Sequence, residues 1–373
     1  MSLRTTYLLL LTLLCALGLV AASCQKGGDV SDAEPVTPAP TPYTLTVPAG
    51  FPAPFIPADN PLTNEGVALG RLLFYEKALS STGTMSCSSC HQQSKAFTDG
   101  RALAVGVDGV ANPRGAMSLA NVAWSSAFDW DGAFATLEAQ AQHPIENTIE
   151  LHQSLAAGVA KLQATSTYPP LFKAAFGTST ITNDLTLKAL AQFERTLVSA
   201  GSRYDKFVAT RTGFTADELA GLQLYTTHIV PGVVRGAECF HCHTQPLMSS
   251  QYAGQYFNNG LDLTFADAGR GAVTGLAVDR GKFVAPTLRN LVFTAPYMHD
   301  GRFQTLEEVL DHYSDHVQMA SPNLDNNLIQ GLNNPPFGTH MDLTATEKKQ
   351  VLAFLKTLTD SAFVADKRFA DPH

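Results

Sequence analysis

The stretches Cys87-Ser88-Ser89-Cys90-His91 and Cys239-Phe240-His241-Cys242-His243 both spell C-x-x-C-H. Covalent attachment of c-type haem dictates this spacing. Two thiols must reach the two vinyl groups of one porphyrin, and the imidazole that follows must meet the iron from one face. A single C-x-x-C reads equally as a redox disulfide or as half of a zinc site. Two copies, each with His directly after, are far more selective. The motifs predict two covalent haem c groups, attached through Cys87 and Cys90 and through Cys239 and Cys242. His91 and His243 are the expected proximal iron ligands.

The chain has 373 residues, enough for two domains of ordinary size. Apolar residues make up 45% and charged residues only 16%, so a substantial core can form. The formal net charge of −8 argues against nucleic acid as a partner and is compatible with docking to a basic redox protein. Of the 6 cysteines, 4 belong to the haem motifs; Cys15 and Cys24 remain, so no disulfide framework is expected. Haem attachment of this kind needs an oxidising compartment, most simply a bacterial periplasm. The N-terminus agrees with export. Arg4 precedes an apolar run from Tyr7 to Ala22 that is too short to favour a membrane span, and residues 1–23 read as a signal peptide. Ala21-Ala22-Ser23-Cys24 resembles a lipoprotein processing site, which would leave Cys24 lipidated and make it the membrane anchor. The other reading is an ordinary signal with an incidental Cys24. Residues 24–48, with Gly27-Gly28, Pro35, Pro38, Pro40 and Pro42, read as a flexible-to-extended tether.

The folded part is expected to be mainly α. Val67, Leu69, Leu72, Leu73 and Phe74 give a helical stripe over 62–75, and further helical patterns lie at 136–142 and 185–197. Gly201 to Gly213 reads as a domain junction, dividing residues 49–205 from residues 206–373. Three capping boxes, Thr215 with Glu218, Thr305 with Glu308 and Thr344 with Glu347, mark helix starts in the second half. An internal repeat appears on shifting the sequence by 169 residues. Ser118 to Trp124 then overlays Thr287 to Phe293, and Trp130-Asp131-Gly132-Ala133-Phe134-Ala135-Thr136-Leu137-Glu138 overlays His299-Asp300-Gly301-Arg302-Phe303-Gln304-Thr305-Leu306-Glu307. So long a period means duplicated domains. The expected architecture is two tandem cytochrome-c-like domains with one haem each.

The sixth ligand of each iron decides function: an electron-transfer haem keeps one, whereas a catalytic haem leaves the position open. The repeat puts Tyr313 opposite Pro144, and proline has no side-chain donor. The second haem is then capped and the first open. Tyr313, His312 and Met319 all compete as the cap. Near the open position, Gln140 and Glu150 supply polar groups, and a carboxylate there can move a proton between the oxygens of bound peroxide. From spacing alone Glu150 reads equally as an exposed helix-end acid. Trp130 is an inter-haem relay or a core indole, and His299-Asp300-Gly301 is a haem-edge contact or a turn.

Taken together, these residues resemble the bacterial di-haem cytochrome c peroxidases, and more closely their MauG-like branch. The resemblance runs from about Pro61 to Leu358. It is carried by Leu69-Gly70-Arg71-Leu72-Leu73-Phe74, Pro286-Thr287-Leu288-Arg289-Asn290, Thr294-Ala295-Pro296-Tyr297-Met298-His299-Asp300-Gly301 and Thr305-Leu306-Glu307-Glu308-Val309, besides the haem motifs. It implies that Trp130 is the inter-haem Trp and that Gln140, Pro144 and Glu150 form the distal pocket of the peroxidatic first haem. The removable distal His of the peroxidases aligns with Val107, which implies a first haem open at rest. Their distal Met on the second haem aligns with Tyr313, as in the MauG-like branch; such an anionic ligand lowers the potential relative to Met. The family's inter-domain calcium would use the carbonyls of Thr294 and Pro296, but its Asn ligand falls on Gly115. The implied function is reduction of hydrogen peroxide, with electrons entering through the second haem from a small redox protein, a c-type cytochrome or a cupredoxin. Two rivals are a MauG-like oxidase that shares oxidising equivalents between both haems to modify a partner protein, and a non-catalytic electron carrier. The family also implies a homodimer.

Overall fold

Helix α1 (Asn64–Tyr75) starts where Thr63 accepts the Gly66 amide, and it buries Leu69, Leu73 and Phe74. The computed structural model describes residues 39–229, 234–328 and 341–373. The expected signal peptide, Cys15, Cys24 and most of the tether lie outside the described residues. Part of the expected tether is held against α1. The Tyr43 amide donates to Leu62 O (2.9 Å), the Asn64 amide to Thr41 O (2.9 Å), and the Thr41 hydroxyl to Glu65 (2.9 Å). Pro40 and Pro42 favour extended backbone, which here pairs with the edge of the α1 start.

The fold is mainly α, as expected. After α1 come α2 (Leu137–Glu146), α3 (Leu155–Gln163), α4 (Tyr168–Phe176) and α5 (Asn183–Glu194). Then follow α6 (Arg203–Thr210), α7 (Ala216–Thr226), α8 (Leu306–Asp311) and α9 (Ala345–Lys356). Short 3₁₀ and α turns connect them. Tyr256–Phe257 (β1) pairs antiparallel with Phe283–Val284 (β2), in register Tyr256 to Val284. All three predicted capping boxes form, at Thr215, Thr305 and Thr344. The stretch expected to be a junction is helix α6, started by a further box in which Ser202 and Asp205 cap each other's amides. The Asp205 carboxylate also receives the guanidinium of the fully buried Arg289 (2.9 Å), tying α6 into the second half.

Two main hydrophobic cores result. The first gathers α1, α3, α4 and α5 around Leu73, Phe74, Phe172 and Phe193. The second gathers α7, α8 and α9 around Tyr225, Val351 and Phe354. The C-terminal tail departs from the expected division. Phe363 and Phe369 pack into the first core, and Arg71 and Tyr75 bond to the carbonyls of Lys367, Phe369 and Ala370 (2.7–2.9 Å). Burying a Phe side chain stabilises by about 1.5–3 kcal/mol, enough to draw the tail back.

The duplication is visible in backbone detail. Asn121 and Asn290, 169 residues apart, both adopt left-handed φ (63° and 68°) ahead of a 3₁₀ turn. The bridge between Phe128 and Phe134 recurs between Tyr297 and Phe303. Each half also has one helix crossing at a glycine. A Cβ on Gly70 would lie 1.9 Å from Ala189 O and 2.9 Å from Phe193 Cβ; on Gly221 it would lie 1.9 Å from Gln350 O and 2.8 Å from Phe354 Cβ. Only glycine lets α1 meet α5, and α7 meet α9, so closely. Gly70→Ala must therefore push the helices apart. We expect a loss of about 1–3 kcal/mol or more, read as a lower urea midpoint for the haem-loaded protein.

Candidate functional site

Both attachment motifs open onto cavities. Cys87–Cys90 forms one helical turn, and His91 ends it. His91 Nδ1 lies 2.9 Å from Phe97 O, and His243 Nδ1 lies 3.0 Å from Pro286 O. A backbone carbonyl can only accept, so each Nδ1 carries the proton and each Nε2 keeps its lone pair, the arrangement of an oriented metal-binding imidazole. Burial lowers both imidazole pKa values, that of His243 to about 4, which keeps the rings neutral. The four thiols are unpaired. Burial pushes all of them up, Cys90 to about 11 and Cys239 to about 12.

The first cavity, about 320 Å³, is lined by Cys87, Cys90 and His91 and by Gln140, Pro144 and Glu150. The second, about 180 Å³, is lined by Cys239, Cys242 and His243 and by Tyr313. Each thus sets two thiols and an imidazole against a separate wall, the donor set a covalently attached porphyrin requires. The first cavity also holds an orphan. Glu194 lines it, and its Oε2 is buried without a hydrogen-bond partner among the described residues. Burial raises the Glu194 pKa to about 8, partly offset by Arg195. Such an unfinished polar atom is what a bound group completes, so the residues present fit haem.

Trp130 lines both cavities. Its indole N–H donates to Gly115 O (2.9 Å), and its own carbonyl accepts from the Val284 amide in β2 (2.8 Å). The ring meets His299 edge-on at 6.5 Å, and His299 stacks on Phe283 at 4.0 Å. The other tryptophan, Trp124, is the core indole, donating to Pro52 O. His299-Asp300-Gly301 forms a turn, in which Met298 O accepts the Gly301 amide, and His299 lines the second cavity.

On the wall of the first cavity, Gln140 donates to Asp129 (3.1 Å), and Asn147 donates to Glu150 Oε1 (2.7 Å). Burial raises the pKa of Glu150 and of Asp129, against the lowering effect of those bonds. Glu150 is therefore not an exposed helix-end acid. The Val107 amide donates to Glu150 O (2.7 Å), and a Cβ on Gly106 would sit 2.0 Å from Ile149 O, so this loop presses directly on the segment carrying Glu150. Gly106 lines the cavity. His143 also lines it, with an exposed ring against Phe134 (5.2 Å).

Tyr313 lies on a π-helical turn, His312–His316, that continues α8. π turns of this kind recur at functional sites. Its hydroxyl accepts from Asn259 (3.1 Å); burial pushes the phenol pKa up and this bond lowers it. Of the competing caps, His312 is held by Asn259 O (3.1 Å) and Met319 packs with Val317 and Leu324; neither lines the cavity, nor does the nearby His316, which bonds to Asp311 O (3.0 Å). Met298 and Met341 do line it. The calcium set is incomplete. Pro296 offers only its backbone carbonyl, and the Thr294 hydroxyl is directed to Leu291 O (3.4 Å). Gly115 has no side chain, and its carbonyl already accepts from Trp130.

Sequence reasoning missed Asp129, Asn147 and Glu194. Asp129 stands opposite Met298 in the repeat, and both adopt left-handed φ (67° and 73°), but nothing in its local sequence marks it as a cavity group. Glu194 sits in a run of buried residues on α5, where an acid reads as a helix surface position.

Comparison with known proteins agrees with this geometry. A family described as di-haem cytochrome c peroxidase matches residues 64–213. The methylamine utilization protein MauG of Methylorubrum extorquens is 36% identical over 306 residues, 81% of this chain and 80% of that protein. The cytochrome c551 peroxidase of Nitrosomonas europaea is 31% identical over 82% of this chain and 83% of its own. A crystal structure of a MauG-like protein associated with microbial copper homeostasis superposes with a TM-score of 0.79 at 37% identity, covering 88% of this chain and 99% of that one.

Glu194 yields a pH prediction. Its folded pKa lies above the unfolded value of 4.5, so the folded state binds more protons between 4.5 and about 8. Stability falls as pH rises through that window, by up to about 1.4 kcal/mol per unit. Glu194→Gln is expected to flatten this slope, measured by urea unfolding of the haem-loaded proteins at several pH values.

Proposed function

The chain belongs to the di-haem cytochrome c peroxidase family, and we propose that it reduces hydrogen peroxide at the first cavity, drawing electrons through the second. The observation that carries this reading is the difference between matched walls: Pro144, without a donor atom, stands where the second cavity has Tyr313. When bound, the first haem supplies an iron that holds and polarises peroxide. The chain's own groups handle the protons. Asn147 occupies Oε1 of Glu150, leaving Oε2 to take a proton from the inner peroxide oxygen and return it to the outer one. Burial raises the Glu150 pKa toward the working range for such an exchange. Gln140 holds Asp129 in place beside it. The overall step consumes one peroxide, two protons and two electrons and yields two waters. Trp130, in contact with both cavities, is the route for the electrons. Tyr313, steered by Asn259, would be a ligand to the second iron.

The electron source is a small redox protein, a c-type cytochrome or a cupredoxin. A second reading is favoured by Tyr313 and by the similarity to MauG: the electrons are then taken from side chains of a partner protein. Both readings place the chain in the periplasm, anchored through Cys24.

One titration tests the site. With the fully ferric protein, about one equivalent of peroxide is expected to change both haem spectra together, without prior reduction. A response only after reduction of the second haem would overturn the open first site. Glu150→Gln is expected to slow the peroxide reaction about 10²–10⁴-fold, with the haem content unchanged. Trp130→Phe is expected to separate the two spectral changes. Tyr313→Phe is expected to convert the low-spin signal of the second haem; an unchanged signal would assign its sixth ligand elsewhere. Turnover with a reduced small cytochrome supports the peroxidase. Peroxide-dependent oxidation of a partner protein without such turnover supports the second reading.

A further inference from the structure

A third cluster lies at the edge of the second cavity, which Glu238 lines and His228 and His241 do not. Glu238 directly precedes Cys239 and adopts left-handed φ (53°), which turns its carboxylate back toward the end of α7. The carboxylate is 2% exposed, and its side-chain partners are two imidazoles. His228, two residues beyond α7, places Nδ1 3.0 Å from Glu238 Oε1 and 3.2 Å from Oε2. His241, between the two attachment cysteines, places Nε2 2.7 Å from Oε2. The two ring nitrogens are 3.3 Å apart, and the rings stand at 82°. The Ile229 amide also donates to the carboxylate, fixing it from the protein side.

We propose that His228, Glu238 and His241 bind a divalent first-row transition-metal ion such as zinc or copper(II). Among the described residues this is the group of His, Cys, Asp and Glu side chains whose donor atoms converge within 4.8 Å. Bonds of 2.0–2.1 Å to a tetrahedral ion set the ligand atoms about 3.3 Å apart. The nitrogen–nitrogen contact and the longer carboxylate contact of His228 match that edge, and the His241 contact needs to open by about half an ångström to reach it. Without an ion, the two N–H groups donate to separate oxygens of the one carboxylate. With an ion, each ring carries its proton on the other nitrogen, and two lone pairs with one carboxylate converge on the cation. No proton need be lost overall. Two imidazoles and one carboxylate select zinc or copper over calcium or magnesium. His228 is 54% exposed and His241 25%, so the fourth position faces solvent. The ion would sit on the strap that attaches the second haem, on the solvent side of Glu238.

The test is calorimetric titration of the chelator-treated, haem-loaded protein with zinc chloride, beside His228→Ala and His241→Asn. Both variants change side chains with solvent access, and haem content measured optically shows that each has folded. One equivalent of zinc bound at micromolar affinity, weakened at least tenfold in both variants and not displaced by millimolar calcium, is the expected result. Absence of binding, equal affinity in the variants, or displacement by calcium would overturn the site. Failure here leaves the peroxide reading untouched, since His228 and His241, the residues varied, line neither cavity.

Discussion

The two halves are held together by a buried knot of amides and one carboxylate. Asn121 exchanges two bonds with the Ser199 backbone, at 3.0 and 2.8 Å. Asn290 donates to the Ser199 hydroxyl (3.0 Å) and accepts the Asp360 amide (2.8 Å). The Asp360 carboxylate accepts from the Ser199 hydroxyl (3.2 Å) and the Gly201 amide (2.8 Å). Matched asparagines thus read the matched ends of the two cores through one shared serine. Leaving any member unpaired costs about 1–3 kcal/mol in a buried setting. Each asparagine also starts the turn that leads to a cavity wall, one toward Trp130 and the other toward Met298, His299 and Tyr313. The relative placement of the two cavities follows from this knot.

Trp130 sits where that placement has its chemical consequence. Its indole lines both cavities. Here the N–H is spent on Gly115 O and the backbone carbonyl on Val284, so both ends of the residue are fixed from opposite halves of the chain. Arg114 reinforces the seam by pairing with Asp131 (2.8 Å) from the first half and Asp267 (2.7 Å) from the second.

Much of this was legible in the sequence because it rests on short-range rules. Thiol spacing fixes the haem motifs, Thr-x-x-Glu patterns fix three helix starts, and the repeat carries the backbone turns at Asn121 and Asn290. What was not legible depends on contacts made across long separations. The Gly201 to Gly213 stretch has the composition of a linker, yet it becomes α6 once Asp205 finds the buried Arg289 from the other half. The tail crosses back to the first core because Phe363 and Phe369 find space there, which no local pattern encodes. Asp129 and Glu194 look like surface acids until the cavity is assembled around them. The metal-ligating character of His241 was hidden by the attachment motif that contains it, since its partners are Glu238 and the distant end of α7.

The asymmetry of the two cavities comes down to how one helix ends. In the second half the helix from Thr305 runs on through a π turn to His316, and Tyr313 is carried to the cavity on continuous helical backbone. In the first half Pro144 occupies the matched position. Proline lacks the amide hydrogen that would bond one turn back, and α2 stops two residues later at Glu146. The last carbonyls, left free by the helix end, are taken by the chain as it doubles back. Pro144 O accepts the Leu151 amide (3.0 Å), Ile145 O accepts the Gln153 amide (2.8 Å), and Asn147 O accepts the Glu150 amide (3.0 Å). That reversal places Glu150 on the same cavity wall as Pro144. A side chain without a donor atom and a largely buried carboxyl thus share one wall: the first comes from the residue at 144, the second from the ending of α2 at Glu146 and the bonds that fold the chain back on that end.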